Sequence, residues 1–501
     1  VLRLPSTAPA LLAATSGALL ASVLAGCDAT TAASPGTGAS DAGTSSGEDS
    51  GASSSDVVAV GTSSGASVQD ITVSPLVLTP PFSPSVTDYV VRCASGLNTL
   101  GVTVADSSGS RTTAVQVAPD QAMVVDGAYW IRCLPPDFPE ISVTTHPDAG
   151  APTPGYYLAN NKGYGMALDT NGTPVWYARA PAVLNVDALI PNAISFVPNS
   201  TGSFGTESAA ERYEIHALES LTITVVQSVN APTDDHELRL LPNGDYLLLA
   251  YPLDANVDLT GLQSFGPGQT LADCEVQEVD PSGRLVWSWL ASDHIDPVQE
   301  SLEPQVVATD SASVIDAFHC NAIEVDSTGN LLLSSRHANA LFYIDRSTGK
   351  IEWKLGGSPT NKDGAAHVKV VGDPQGTFSM QHDARFQPDG HVTLFDDHGA
   401  APGVARGVEY AVDPQAGTAI VAFQYLGTAQ SQYEGSFRRY PDGHSVIGWG
   451  YVPSDPRVFT EVDSQGNDVL DVVLAGAPSY RAVKVPLSYL DLAVLRTTTA
   501  K

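Results

Sequence analysis

Basic residues are scarce in this chain of 501 residues. It carries 24 Lys and Arg against 55 Asp and Glu, a formal charge of −31 at pH 7. That balance argues against nucleic acid or anionic membrane surfaces as general partners. It also repels anionic small molecules at long range, so sulfate or phosphate chemistry needs a local cationic pocket. Long amphipathic helical patterns are missing, while Gly (44) and Pro (35) are plentiful, which points to a turn-rich β protein. Cysteines number only five, and none falls in a CxxC or Cys/His zinc pattern, so no zinc site is expected. The length suits one large all-β domain with an appendage.

Large apolar side chains are nearly absent from residues 28–70, a Ser, Gly, Ala and Thr stretch that cannot bury a core and reads as a flexible tether. Before it, residues 1–27 pair Arg3 with a mostly small and apolar run, Ala8–Ala25, ending in Leu24-Ala25-Gly26-Cys27. This resembles the lipobox of a lipoprotein signal peptide. The resemblance implies lipidation at Cys27 and an exported protein held on the cell membrane, in the periplasm or at the cell surface. An ordinary secretory signal and a single membrane helix are the alternatives; Pro5, Pro9 and the shortness of the run weaken the helix. Residues 71–147 read as a small β-sandwich. Ile71–Ser74 and Phe82–Val91 resemble the start of a cadherin-like bacterial module, expected to act as a spacer. Cys93 and Cys133 share this unit and are expected to form a disulfide. Cys274 and Cys320 are buried thiols or a second bridge.

From residue 155 to residue 495 the chain repeats one form: a strand, a Gly turn and a strand. HELRLLPNGDYLLLAY, HCNAIEVDSTGNLLLSSR, FYIDRSTGKIEWKL and HDARFQPDGHVTLFDD are examples. Hairpins of two kinds alternate, and one of each makes a four-stranded sheet that cannot bury both faces alone. Radial stacking solves this, and the reading is a six-bladed β-propeller. Blades fall near Asp187–Val229, His236–Leu290, His319–Leu355, His382–Tyr425 and Gly435–Leu474. Tyr156–Tyr177 lacks a partner hairpin, and Tyr480–Leu495 is placed to supply strands that close the ring.

Three blades open with histidine at matching points. His236 and His382 each precede a turn glycine by eight residues, and His319 does so by ten. First strands of propeller blades line the central channel, so the three imidazoles are expected to converge. Folding the hairpin of the His319 blade places Arg336 opposite His319. A guanidinium grips sulfate or phosphate oxygens and stays charged, and it disfavours a metal ion beside it. Imidazole can act as acid, base or nucleophile near neutrality.

The segments Asp316–Ile323, Ser334–His337 and Gln381–Ala384, in that order and spacing, resemble the bacterial arylsulfotransferases, and Asp235-His236 matches a fourth position. The resemblance spans roughly Gly155–Leu495. It implies a six-bladed propeller that moves a sulfuryl group from an aryl sulfate to a phenol, without the nucleotide donor PAPS, by a ping-pong route through a sulfated histidine. No cofactor or metal is implied. Carried over by motif, His382 is the nucleophile. His236, His319 and Arg336 hold the sulfuryl oxygens and assist the phenolic proton. Asn321, on the face of His319, and His398, near the end of a second strand, are read as substrate-binding together with Arg336. His337 alternates to the opposite face and is read as structural. Two other readings stay open: a lyase or hydrolase using the same funnel, with or without a metal, and a tethered propeller that only binds.

Overall fold

The computed structural model describes residues 57–61, 67–200, 211–308 and 313–498. Cys27, the signal segment and most of the expected tether lie outside them. Among the described residues no helix is long and apolar enough to cross a membrane.

The N-terminal unit is a β-sandwich. One sheet holds Val68–Ser74, Asn98–Asp106 and Gly109–Val117; the other orders Val57–Val60, Ala122–Val125, Tyr129–Leu134 and Asp88–Arg92. Asn98–Asp106 buries alternate residues, as a strand with one face on a core should. Its boundaries differ from the sequence reading at both ends. Val57–Val60 pairs in parallel with Ala122–Val125 and buries Val60, so folded structure begins inside the expected tether. Ile141–Thr145 leaves the sandwich and adds a fifth strand to the propeller sheet at Asp468–Leu474. The Cys93–Cys133 disulfide is formed and spans the packed interior of this unit.

Past this unit the chain is a β-propeller. Among the described residues it forms six antiparallel units of four strands. Their second strands, such as Tyr164–Leu168, Tyr246–Ala250, Leu331–Ser335 and Val392–Asp396, are buried on every residue. Alternation disappears there because neighbouring sheets cover both faces. Ala482–Val485 pairs antiparallel with Tyr156–Asn161, so the last strand of the chain completes the first sheet. The outer Asp-x-x-Gly turns are held locally. Asp326 Oδ1 accepts from the backbone N–H groups of Thr328 (2.7 Å) and Asn330 (3.0 Å), and Gly329 takes φ +90°.

Two features were not foreseen. A small sheet, ordered Leu253–Val257, Gln269–Ala272, Ser313–Asp316 and Gln305–Ala308, is inserted within and after the third unit. Ala366–Val370 runs parallel to the outer strands Ile351–Gly356 and Thr418–Leu426 and fuses two blades into one nine-stranded sheet. Cys274 and Cys320 form a second disulfide, which ties the third blade to the start of the fourth.

The Cys93–Cys133 bridge closes a loop with a sequence separation of 40, for which loss should cost about 4 kcal/mol. A Cys93→Ala/Cys133→Ala protein is therefore expected to melt several degrees lower in calorimetry. An unchanged melting temperature counts against a stabilising role.

Candidate active site

The innermost strands carry the histidines, and each strand breaks register where its histidine sits. The pairing shifts between Thr233 and Leu238, between Cys320 and Ala322, and between His382 and Arg385. Such bulges re-aim a side chain and free it from the ladder. His319 itself takes φ +48°, and Asp383, after His382, takes φ +55°. Conformations of this kind in non-glycine residues persist only when the surroundings enforce them.

The result is one cavity of about 390 Å³ whose wall includes His236, His319, His382, Arg336, Glu434 and Tyr480. The rings of His236 and His319 are 5.1 Å apart, and those of His319 and His382 are 6.5 Å apart. Each imidazole is anchored through Nδ1 by a carboxylate: His236 by Asp234 (2.8 Å), His319 by Asp316 (2.8 Å) and His382 by Asp397 (2.9 Å). Anchoring Nδ1 turns the Nε2 edge to chemistry. The backbone N–H of Arg336 donates to the His319 carbonyl (2.9 Å), as the hairpin register required. Its guanidinium donates to the Gln432 carbonyl (2.9 Å) and to His337 Nε2 (3.1 Å). Arg336 Nε is buried with no partner among the described residues. A buried donor left unpaired is costly, and an oxyanion would satisfy it.

Protonation differs sharply among the three histidines. Burial opposes charge on His236, but Asp234 and Asp235 outweigh it and lift its pKa to about 9. Burial, then the positive charges of Arg336 and the other histidines, push His382 well below the usual imidazole range. Burial does the same to His319, with His337 and Arg336 adding to it against the pull of Asp316. Burial, with the neighbouring carboxylates Asp396 and Glu434 adding to it and Arg336 opposing, raises Asp397 well above the usual carboxylate range. The carboxylate is the state we assign, because it accepts the Nδ1–H of His382 and leaves a lone pair on Nε2.

Beneath the histidines lies a buried ion cluster. Glu237 and Asp383 each directly follow a funnel histidine. Arg385 joins them, at 2.5 Å from Glu237 and 2.7 Å from Asp383; Arg438 meets Asp383 (2.6 Å) and Arg481 meets Glu237 (3.1 Å). Three guanidiniums against two carboxylates place positive charge under a cavity in an acidic protein.

Some sequence-predicted residues are placed elsewhere. Asn321 is fully buried below the cavity and does not line it: its side-chain N–H donates to the Gln381 carbonyl (2.7 Å), and its own carbonyl accepts from Arg481 (2.9 Å). His398 is also off the wall, held by Asp396 (3.3 Å) and the Pro402 carbonyl (3.0 Å). Both brace loops instead of meeting substrate. His337 is not on a far face. The strand ends at Ser335, so alternation no longer applies, and its ring packs 4.6 Å from His319 while supporting Arg336. The remaining histidines are half-buried; His391 and His444, for example, bond Glu409 (2.6 Å) and Glu461 (2.9 Å).

Sequence reasoning missed the three anchoring carboxylates as a set. Asp316 precedes its histidine by three residues and Asp234 by two, which was a usable signal, whereas Asp397 comes from a different strand end. Glu434 and Tyr480 gave no pattern at all. Asp234, Asp235 and His236, and likewise Asp316, His319 and His337, bring three ligand-type atoms within 4.8 Å. In both groups the histidine Nδ1 is already committed, and Arg336 stands beside the second. The donor set fits an anion better than a cation. A larger cavity, about 580 Å³, lies between the sandwich and the propeller, but its charged residues Arg92 and Glu140 pair with each other (3.0 Å).

No curated protein matches the chain. Solved structures similar to it include a protein of unknown function from Bacteroides caccae, at 11% identity over 66% of this chain and 99% of the other, with a TM-score of 0.41. Virginiamycin B lyase from Staphylococcus aureus is 10% identical over 71% of this chain and 91% of the other, with a TM-score of 0.33. The apo form of AztD from Citrobacter koseri is 10% identical over 66% and 97%, with a TM-score of 0.35. The arylsulfotransferase (ASST) family model matches residues 143–481, more than half of the chain and every residue of the histidine cavity. The chain belongs to the arylsulfotransferase family.

Proposed function

We propose that this protein moves a sulfuryl group from an aryl sulfate ester to a phenol in two displacements, with His382 Nε2 carrying the group between them. The observation that supports this most is the convergence of three carboxylate-anchored imidazoles with a guanidinium whose Nε is buried and unpaired. The donor binds with its sulfuryl oxygens toward Arg336 and protonated His236. Neutral His382 attacks sulfur through Nε2; the N–S bond forms as the S–O bond to the phenol breaks. Positive charge that develops on the ring is met by Asp397. In the second half a phenol oxygen attacks sulfur and the N–S bond returns its electrons to Nε2. A good leaving group and a nitrogen nucleophile allow one difficult encounter to be split into two easier ones. Fixed charge around the sulfuryl group needs no reorganisation during reaction.

The propeller is further proposed to be exported and held by a lipid on Cys27, on the strength of the Leu24-Ala25-Gly26-Cys27 segment. Replacing that residue, Cys27→Ser, is expected to move the protein from the membrane to the soluble fraction on cell fractionation. Equal membrane retention would speak against the anchor.

Two outcomes test the chemistry. After brief exposure to sulfur-labelled 4-nitrophenyl sulfate, mass spectrometry should find the label on the peptide containing His382. His382→Ala should lose both label and transfer, and Arg336→Ala should slow transfer about a hundredfold. Full activity in His382→Ala sinks the assignment.

The second outcome is the pH dependence of the 4-nitrophenolate burst. An ordinary histidine nucleophile would be protonated, and lost, as pH falls through about 6.5. His382 lies well below that, so the burst should stay level between about pH 6 and about pH 8. It should fall as His236 gives up its proton near pH 9. A burst that halves near pH 6.5 contradicts a neutral, buried His382.

A further inference from the structure

Resting on the reading above, we infer that Glu434 exchanges the phenolic proton, giving it to the departing phenolate and taking it back from the acceptor. Glu434 lies in the loop before the sixth inner strand, in a left-handed conformation with φ +68°. That conformation is unfavourable for a glutamate, yet it aims the side chain into the histidine cavity. Its Oε2 is buried and has no hydrogen-bond partner among the described residues. A carboxyl oxygen sealed in a cavity wall without a structural bond has its capacity open to whatever fills the cavity.

The groups that face Glu434 are Asp235, His236, Asp397 and Tyr433. Burial, with Asp235 adding and His236 opposing, raises the carboxyl to about 8. The other ionisable groups of the wall are poorly matched to the task. His236 is already protonated up to about pH 9 and cannot accept a proton. His319 lies well below the imidazole range and is a weak base toward a phenol. The Tyr480 hydroxyl, well above 10, donates to the His236 carbonyl (3.2 Å) and stays neutral. Glu434 alone among these changes state near neutrality, where general acid–base catalysis is most effective.

The proton balance closes. As the S–O bond of the donor breaks, the Glu434 carboxylic acid protonates the leaving oxygen and becomes a carboxylate beside protonated His236. As the acceptor oxygen bonds to sulfur and the N–S bond breaks, the acceptor proton passes to Glu434 and restores the acid. A neutral phenol therefore leaves and a neutral phenol enters.

The test separates the two half-reactions. Wild-type protein and Glu434→Gln are loaded from labelled 4-nitrophenyl sulfate, whose anion departs without a proton. They are freed of donor and chased with phenols of graded acidity. Both should take up label, which shows the cavity intact. Release to unsubstituted phenol should be about a hundredfold slower in Glu434→Gln, and the deficit should shrink for nitrophenols that are already ionised. In the wild type the chase should quicken as pH rises through about 8, because the carboxylate is the accepting form, and Glu434→Gln should lack that rise. Glu434→Asp, which keeps the carboxyl, should recover part of the rate. Transfer to phenol within about twofold of wild type, or an equal deficit for every acceptor, overturns the inference. Absence of label on both proteins overturns the covalent route and this inference with it, a result recognisable before any chase begins.

Discussion

The ion cluster at the propeller axis is the constraint on which the site depends. Glu237, Asp383, Arg385, Arg438 and Arg481 are all taken from inner strands or their flanks, and each ion pair in the cluster crosses from one sheet to another or spans a bulge. Removing either carboxylate, Glu237 or Asp383, leaves buried guanidiniums without their partner. The cluster therefore fixes how far the inner strands stand from one another. Glu237 and Asp383 are bonded neighbours of His236 and His382, so the same pairs set the histidine spacing above.

Charge also divides the labour of three chemically identical side chains. Two carboxylates beside His236 keep it cationic, whereas burial, with Arg336, the other imidazoles and Arg481 adding to it, keeps His382 neutral. In the proposed reaction this makes one ring an anion holder and another the nucleophile. A chain with a formal charge of −31 thus encloses a patch of cationic character on Arg336, His236 and the floor below them.

Much of this was legible in the sequence for a physical reason. Propeller hairpins announce themselves through their turns: Asp326 to Gly329 must supply a side-chain acceptor and a left-handed residue wherever the register is fixed. The convergence of His236, His319 and His382 followed from their similar spacing, eight or ten residues, to those turns. What escaped was set by tertiary register. Asn321 shares a strand face with His319, but the bulge at Cys320 and Ala322 turns it down into the core. His398 follows the Asp396-Asp397 pair, and it is Asp397 that reaches His382, while His398 is drawn off by Pro402. Glu434 is one loop residue before a glycine, and nothing local distinguishes it from a solvated carboxylate. The inserted sheet that contributes Asp316 breaks the repeat, so periodicity could not locate it.

The closing strand Ala482–Val485 has a temporal meaning. It begins one residue after Arg481, the guanidinium that joins the axial cluster from the far end of the chain. Synthesis runs from the N-terminus, so His236, His319 and His382 all exist before the residue that completes the floor beneath them. A partly made chain has the imidazoles but neither the finished ring nor its third axial guanidinium. The floor under His382 is thus completed only after all three imidazoles have been made.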